Sequence, residues 1–125
     1  MSKNAHVVFH FFGWFFDPEK NNDKIWGWAE VEGKLYNFWG RRGDAASMKR
    51  IKFKRHENKR WDSSYDLKDA AKGKEKKGYK AVDVRTLDSE GNYTEVERVY
   101  PGFTAHMRKE LMYGRLTGTV RGEEV

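Results

Sequence analysis

The densest chemistry in this chain lies in seven residues, Asn37-Phe38-Trp39-Gly40-Arg41-Arg42-Gly43. A large flat ring is followed by two guanidinium forks held between glycines. Arginine pairs bidentately with phosphate or carboxylate and also stacks on rings. Glycine adopts φ > 0 and lets a ligand or another backbone come close. Phe38 and Trp39 end an apparent strand, so their rings point to opposite faces and one of them faces away from the core. A flat anionic partner suits this set. The same letters also fit a plainer part, since strand ends with tryptophan, loops with glycine and solvated loop arginines are all common.

Other chemistries find no support. The chain has no cysteine, so disulfides, thiolate metal ligands and a cysteine nucleophile are excluded. No nucleophile or acid–base pair with an orienting partner has a local signature, and no Walker loop or dinucleotide fingerprint occurs. His6 and His10 share strand parity but lack a third ligand of suitable spacing, which points to structural roles. Gly40-Arg41-Arg42-Gly43 matches the Gly-x-x-Gly of KH domains in letters, yet that loop joins helices and this one joins strands. The expectation is a protein without enzymatic activity or cofactor.

Charge sharpens the first reading. The net charge of +6 is unevenly spread: residues 1–40 carry 4 basic and 5 acidic side chains, residues 41–80 carry 15 and 6, and residues 81–125 carry 6 and 8. The whole excess follows directly on the Trp39 to Arg41 stretch. A basic patch beside aromatics is the electrostatic footprint of a nucleic-acid partner, although a lysine-rich face also serves solubility alone. No apolar run reaches the length of a membrane span, and the start lacks a secretory leader, so no membrane partner is expected and the location is read as intracellular, cytoplasmic or nucleoid-associated.

The elements that must position these groups follow from periodicity. His6 to Phe16 is apolar on both faces and reads as a central strand with aromatics on both sides, or as one that carries a bulge at Gly13. In Lys24 to Glu32, Ile25, Gly27, Ala29 and Val31 share one face, and Trp26, Trp28 and Glu30 the other. Glu32-Gly33-Lys34 turns this strand into Leu35 to Trp39 as a hairpin. In Met48 to Arg55, Ile51 and Phe53 face one way and Arg50, Lys52 and Lys54 the other, about 6.6–6.8 Å apart, which reads as a basic row on an edge strand. That row either meets phosphates or shields the edge from aggregation. Trp61 packs back on the sheet or offers a second exposed ring. Asp62 or Ser63 caps a helix from about Ser64 to Lys77, with Leu67, Ala70, Ala71 and Lys74 as its stripe and Lys68, Lys72 and Lys76 on a basic side; Gly78 ends it and Tyr79 folds back as an anchor. Beyond Lys80, Ala81 to Leu87 and Tyr93 to Tyr100 read as a second hairpin. Thr104 caps a short helix to Tyr113 with Phe103, Met107 and Leu111 in register, and Gly114 to Val125 reads as a mobile tail.

Trp39-Gly40-Arg41 with Gly43 resembles the signature of the WGR domain, the small module of poly(ADP-ribose) polymerases and stand-alone bacterial proteins. Asn22-Asp23-Lys24-Ile25-Trp26 is similar to that family's opening strand, and Leu67 to Ala71 with Lys77-Gly78-Tyr79 to its helix and closing Gly-Tyr. The resemblance spans about residues 6 to 80 and departs at Asp44-Ala45-Ala46-Ser47, where the family usually has a further glycine and a glutamine. It implies an α+β fold, an antiparallel sheet with a helix on one face, in residues 1–80. Beyond Lys80 the resemblance stops, and residues 81–125 read as an extension packed on the same domain that extends the sheet or covers the helix. The resemblance also implies binding to DNA or another nucleic acid through sugar and phosphate, at strand ends or breaks. Carried over, Trp39 stacks on a sugar or base, Arg41 holds a phosphate and Gly40 lets the backbone approach. Charge position adds Arg42, Lys49, Arg50, Lys52, Lys54, Arg55 and Lys59 to the candidate set. The alternative is an adaptor that recruits a protein partner through exposed aromatics.

Overall fold

The computed structural model describes residues 7–56 and 61–113. The fold is α+β, built on a five-stranded antiparallel sheet in the order β4-β3-β2-β1-β5. The strands are β1 (Val7–Asp17), β2 (Asn22–Val31), β3 (Lys34–Arg41), β4 (Lys52–His56) and β5 (Lys80–Ala81). The helices are α1 (Ala45–Met48), α2 (Trp61–Lys76), α3 (Thr94–Val99) and α4 (Phe103–Arg108), the last continued by a π-helical turn over Lys109–Tyr113.

The alternation in β2 and β3 has a use on both faces. Ile25, Ala29, Val31, Tyr36 and Phe38 join one buried cluster, and Trp26, Trp28 and Leu35 join another with Leu67 and Ala71 of α2. The sheet is therefore the middle layer of three, and both sets of large side chains are core. Glu32 and Gly33 take φ of 55° and 79°, the left-handed pair that a tight β2–β3 hairpin requires.

The bulge in β1 lies at His10, between Phe9 and Phe11, and not at Gly13. Its cause sits across the sheet. A Cβ on Gly27 would collide with both the Phe11 carbonyl and the Phe38 ring, so only glycine admits the two together. After the bulge the side-chain parity reverses: Phe9 and Phe12 fall on the same core face, while His10 and Phe11 both turn toward α2.

Helix α2 starts at Trp61, ahead of Asp62 and Ser63, which therefore lie inside it. Leu67 and Ala71 are buried, Lys74 is half-buried, and Ala70, expected on the stripe, is exposed. The helix ends as the sequence implies. The Gly78 and Tyr79 amides donate to the Glu75 and Lys74 carbonyls at 3.1 Å each, and Gly78 has φ of 115°.

The expected second hairpin is not formed. Only the bridge between Leu87 and Tyr93 remains of it, and Thr94–Val99 is helix α3. Tyr93, Val96 and Tyr100 recur at helical spacing, and all three enter the core cluster. Helix α4 is not capped by Thr104; the Glu97 carboxylate accepts from the Gly102 and Thr104 amides at 2.8 and 3.2 Å. Phe103, Met107 and Leu111 are buried together, as their register requires. Among the described residues after β5, Tyr93, Val96, Tyr100, Phe103, Met107 and Leu111 cover the sheet face opposite α2. Lys59, His6, the Trp61 side chain and Gly114 to Val125 lie outside what the structure describes.

Candidate functional site

Strand pairing decides which candidates share a face. Lys24 stands opposite Arg41 and Trp26 opposite Trp39, while Lys52 stands opposite Trp39 and Lys54 opposite Asn37. Directly opposed residues project to the same side. Lys24, Trp26, Trp39, Arg41, Lys52 and Lys54 are therefore all on the α2 face. Lys52 and Lys54 are exposed on the edge strand.

Where α2 ends over this face, a cleft of about 320 Å³ opens between Trp26, Trp39 and Tyr79, with Lys24, Arg41 and Lys74 among its walls. No carboxylate lines it. Trp39 is half-buried, one side of its ring against the α2 cluster. Arg41 is exposed and held in place by neutral acceptors: its guanidinium donates to the Asn21 carbonyl at 3.0 Å and to Asn21 Oδ1 at 2.8 Å. The Lys74 ammonium sits 5.7 Å from the Trp26 ring centre and 5.6 Å from that of Tyr79. Burial, then the charges of Lys77 and Lys24, pull the Lys74 pKa below its ordinary value. The cleft is thus a place of uncompensated positive charge over aromatic faces, which an entering anion would relieve.

Two candidates have other work. Arg42 points away from Trp39, as its own hydrogen bonds require. Its Nε and Nη2 donate to Asp23 Oδ1 and Oδ2 at 2.8 and 3.0 Å, its Nη1 donates to the Val99 carbonyl at 2.6 Å, and its guanidinium lies 4.6 Å over the Trp14 ring. Trp14 Nε1 also donates to Asp23 Oδ1 at 2.8 Å. Burial by itself would raise the Asp23 carboxyl, but the bonds from Arg42 and Trp14 and the charges of Arg42 and Arg41 outweigh it, and the pKa lies below the ordinary value. Arg42 is a clamp between the sheet and the end of α3. Gly40 borders the cleft with its backbone, but its conformation is shaped by the core: its φ is 152°, and a Cβ there would meet the Ile51 side chain at 2.8 Å. The close approach it permits is that of Ile51.

Arg55 pairs with Tyr36 and is half-buried on the opposite face from Lys52 and Lys54. Lys49 and Arg50 are exposed in the turn between α1 and β4, and do not line the cleft. Lys24, Lys74 and Tyr79 were not among the expected site residues. Lys24 could have been found by extending the β2–β3 hairpin register two residues past Trp26, and Lys74 by asking why a lysine sits on the stripe of α2 that faces the sheet.

Among the described residues no helix is long and apolar enough to cross a membrane, and no group of three or more His, Cys, Asp or Glu is placed to hold a metal ion. Comparison of the chain with family models, curated proteins and solved structures finds no match.

Proposed function

We propose that the protein is a WGR-like, non-enzymatic module that binds the sugar-phosphate backbone of DNA or another nucleic acid across its α2 face. The observation that carries this reading is the half-buried Trp39 ring beside an Arg41 that, among the described residues, hydrogen-bonds to neutral Asn21 atoms, in a cleft without acids among its described walls. Arg41 acts on the Asp23 carboxylate only through space and presents its guanidinium to a phosphate, Trp39 offers a ring edge or face to a sugar or base, and Lys24 and Lys74 close the cleft. Lys52 and Lys54, in line with Trp39 and Asn37, continue the path along the sheet edge. Such contacts carry little sequence information, so recognition is directed at backbone geometry and strand ends.

Fluorescence anisotropy with blunt, nicked and single-stranded oligonucleotides tests this. Neutralising three or four phosphates predicts a log–log salt slope of about −3 to −4. Trp39→Ala and Arg41→Ala are each expected to weaken binding about tenfold. Equal affinity in both variants and the parent protein would leave only nonspecific attraction. The adaptor reading has less support: Phe16, Tyr65 and Leu87 are exposed, but Phe16 is in β1, Tyr65 in α2 and Leu87 in the segment before α3, and single exposed apolar residues are ordinary.

A further inference from the structure

A second cleft, of about 440 Å³, lies against the first half of α2. Leu67 and Ala71 form the stripe that faces the sheet; at 3.6 residues per turn, Lys68 and Lys72 fall to one side of it and Lys74 to the other. The new cleft is on the Lys68 side, over β1 and β2. Its floor is Phe11 and Trp28, and its walls are His10, Tyr65, Lys68 and Lys72.

We infer that this cleft is a binding site for a small planar aromatic monoanion, such as an aryl carboxylate, separate from the cleft at Trp39. The bulge in β1 makes the site. In a regular strand His10 and Phe11 would face opposite ways; here both turn to α2, and Gly27 is the residue that lets the bulged backbone in. His10 is parked flat on Trp28, with ring centres 4.4 Å apart and planes 14° apart, and its Nε2 is 2.9 Å from the Glu30 carboxylate. The imidazole is thereby fixed as a wall, leaving the Phe11 side of the cleft to accept a ring. The volume lies within the range of about 300–1,000 Å³ typical of small-molecule sites with an apolar lining and few polar groups.

Charge at the mouth selects the ligand. Lys68 and Lys72 are one helical turn apart on the same side, placed to hold the two oxygens of one carboxylate. Asp69 also lines the cleft, and the Glu30 carboxylate is engaged by His10 Nε2 behind the wall, so among the lining side chains two cations face one anion and no more than a single negative charge is matched. The Trp39 cleft, with three cations and no acid, suits a polyanion instead.

Titration with 2-naphthoate, followed by NMR of the Trp28 indole and the His10 ring, tests the assignment, with neutral 2-naphthamide as the isostere. Naphthoate is expected to shift both signals and to bind about tenfold tighter than the amide, the worth of one charge-assisted hydrogen bond. Lys68→Gln with Lys72→Gln, both exposed, should leave the melting temperature unchanged and erase that preference without altering amide affinity. Arg41→Ala should have no effect. Equal binding of acid and amide by the parent protein would overturn the proposal, as would naphthoate shifts confined to Trp26 and Trp39 that vanish in Arg41→Ala.

Discussion

On the face covered by α3 and α4, Phe9, Phe12 and Phe38 of the sheet meet Phe103 at ring-centre distances of 6.3, 5.6 and 5.2 Å. On the face covered by α2, Trp26 and Trp28 pack in one buried cluster with Leu67 and Ala71. One side is filled ring against ring; the other sets small residues of a lysine-rich helix on large tryptophans and leaves a cleft to each side of the buried stripe. Close packing holds a fold together but leaves nothing for a ligand to reach. The division of labour follows: the C-terminal segment supplies stability, and the α2 face supplies accessible rings and charge.

Deleting the central ring is the hardest test of that division. Phe103→Ala should cost about 3–5 kcal/mol, against the lower part of the range of about 2–5 kcal/mol for Leu67→Ala, read from denaturant midpoints. In conditions where each variant stays folded, Phe103→Ala should bind oligonucleotide like the parent, while Leu67→Ala, which loosens the seat of α2 on the sheet between the clefts, should not. Equal costs, or the reverse pattern in binding, would break the comparison.

The next effect is at the seam between the faces. Asp23 and Arg42 are mostly buried, with side chains 19% and 26% exposed, and their pair ties β2 and the end of β3 to the α3 terminus through the Val99 carbonyl. Asp23→Asn should cost about 2 kcal/mol, because it leaves the Arg42 charge part-buried with its strongest acceptor weakened. The sign with pH is fixed by the direction of the Asp23 shift. Its folded pKa is below its unfolded value, so its contribution is fully present above the unfolded value and is lost as pH falls through the folded one. Stability curves between about pH 6 and pH 2 should be flatter for the variant than for the parent protein; parallel curves would show that the pair does not anchor the seam.

A smaller effect separates two uses of the edge strand. Lys52→Gln with Lys54→Gln should change stability by less than about 0.5 kcal/mol and reduce the steepness of the salt dependence by about 1 for each phosphate no longer neutralised. If the lysines serve instead to keep the edge unpaired, the salt slope stays and light scattering reports self-association.

How far the sequence foretells this molecule depends on the range of the cause. The two faces of β2 and β3 and their hairpin are legible because alternation and a Glu-Gly turn are local signals, and so are the end of α2 at Gly78 and the edge position of Lys52 and Lys54. The bulge is not legible at its true place, because its cause, the room above Gly27, lies across the sheet, and Gly13 is the more conspicuous letter. Thr94 to Val99 carries β-branched residues in near alternation, yet the aromatic rings of Tyr93 and Tyr100 with Val96 between them could be buried together only on a helix. Arg41 and Arg42 look equivalent as neighbours; Asp23, Trp14 and Val99, distant in the chain, claim the second and leave the first to the α2 face. Lys74 is legible as a stripe residue but not as a charge, since only the register of β2 and β3 brings Lys24 and Arg41 beneath it.

Lys74 gives the finest test, because there the needs of the fold and of the cleft oppose each other. Its pKa is lowered by burial and then by Lys77 and Lys24, so where the group is protonated in both states the charge is carried at a cost to the fold. The unfolded chain binds this proton more tightly, so stability rises with pH as Lys74 deprotonates in the alkaline range. Lys74→Met keeps an apolar stem over Trp26 and Tyr79 and removes the repulsion, against a cation–π contribution of about 0.5–1 kcal/mol. At high salt, where the repulsion is screened, the lost cation–π contact is left unopposed and the variant should be slightly less stable than the parent; at low salt the relief of repulsion offsets that loss, and the variant should be about as stable as the parent and should lack the alkaline rise. Oligonucleotide affinity should nonetheless fall about threefold to tenfold. A variant that loses stability at low salt and binds unchanged would mean that the ammonium belongs to the packing of α2 and not to an anion.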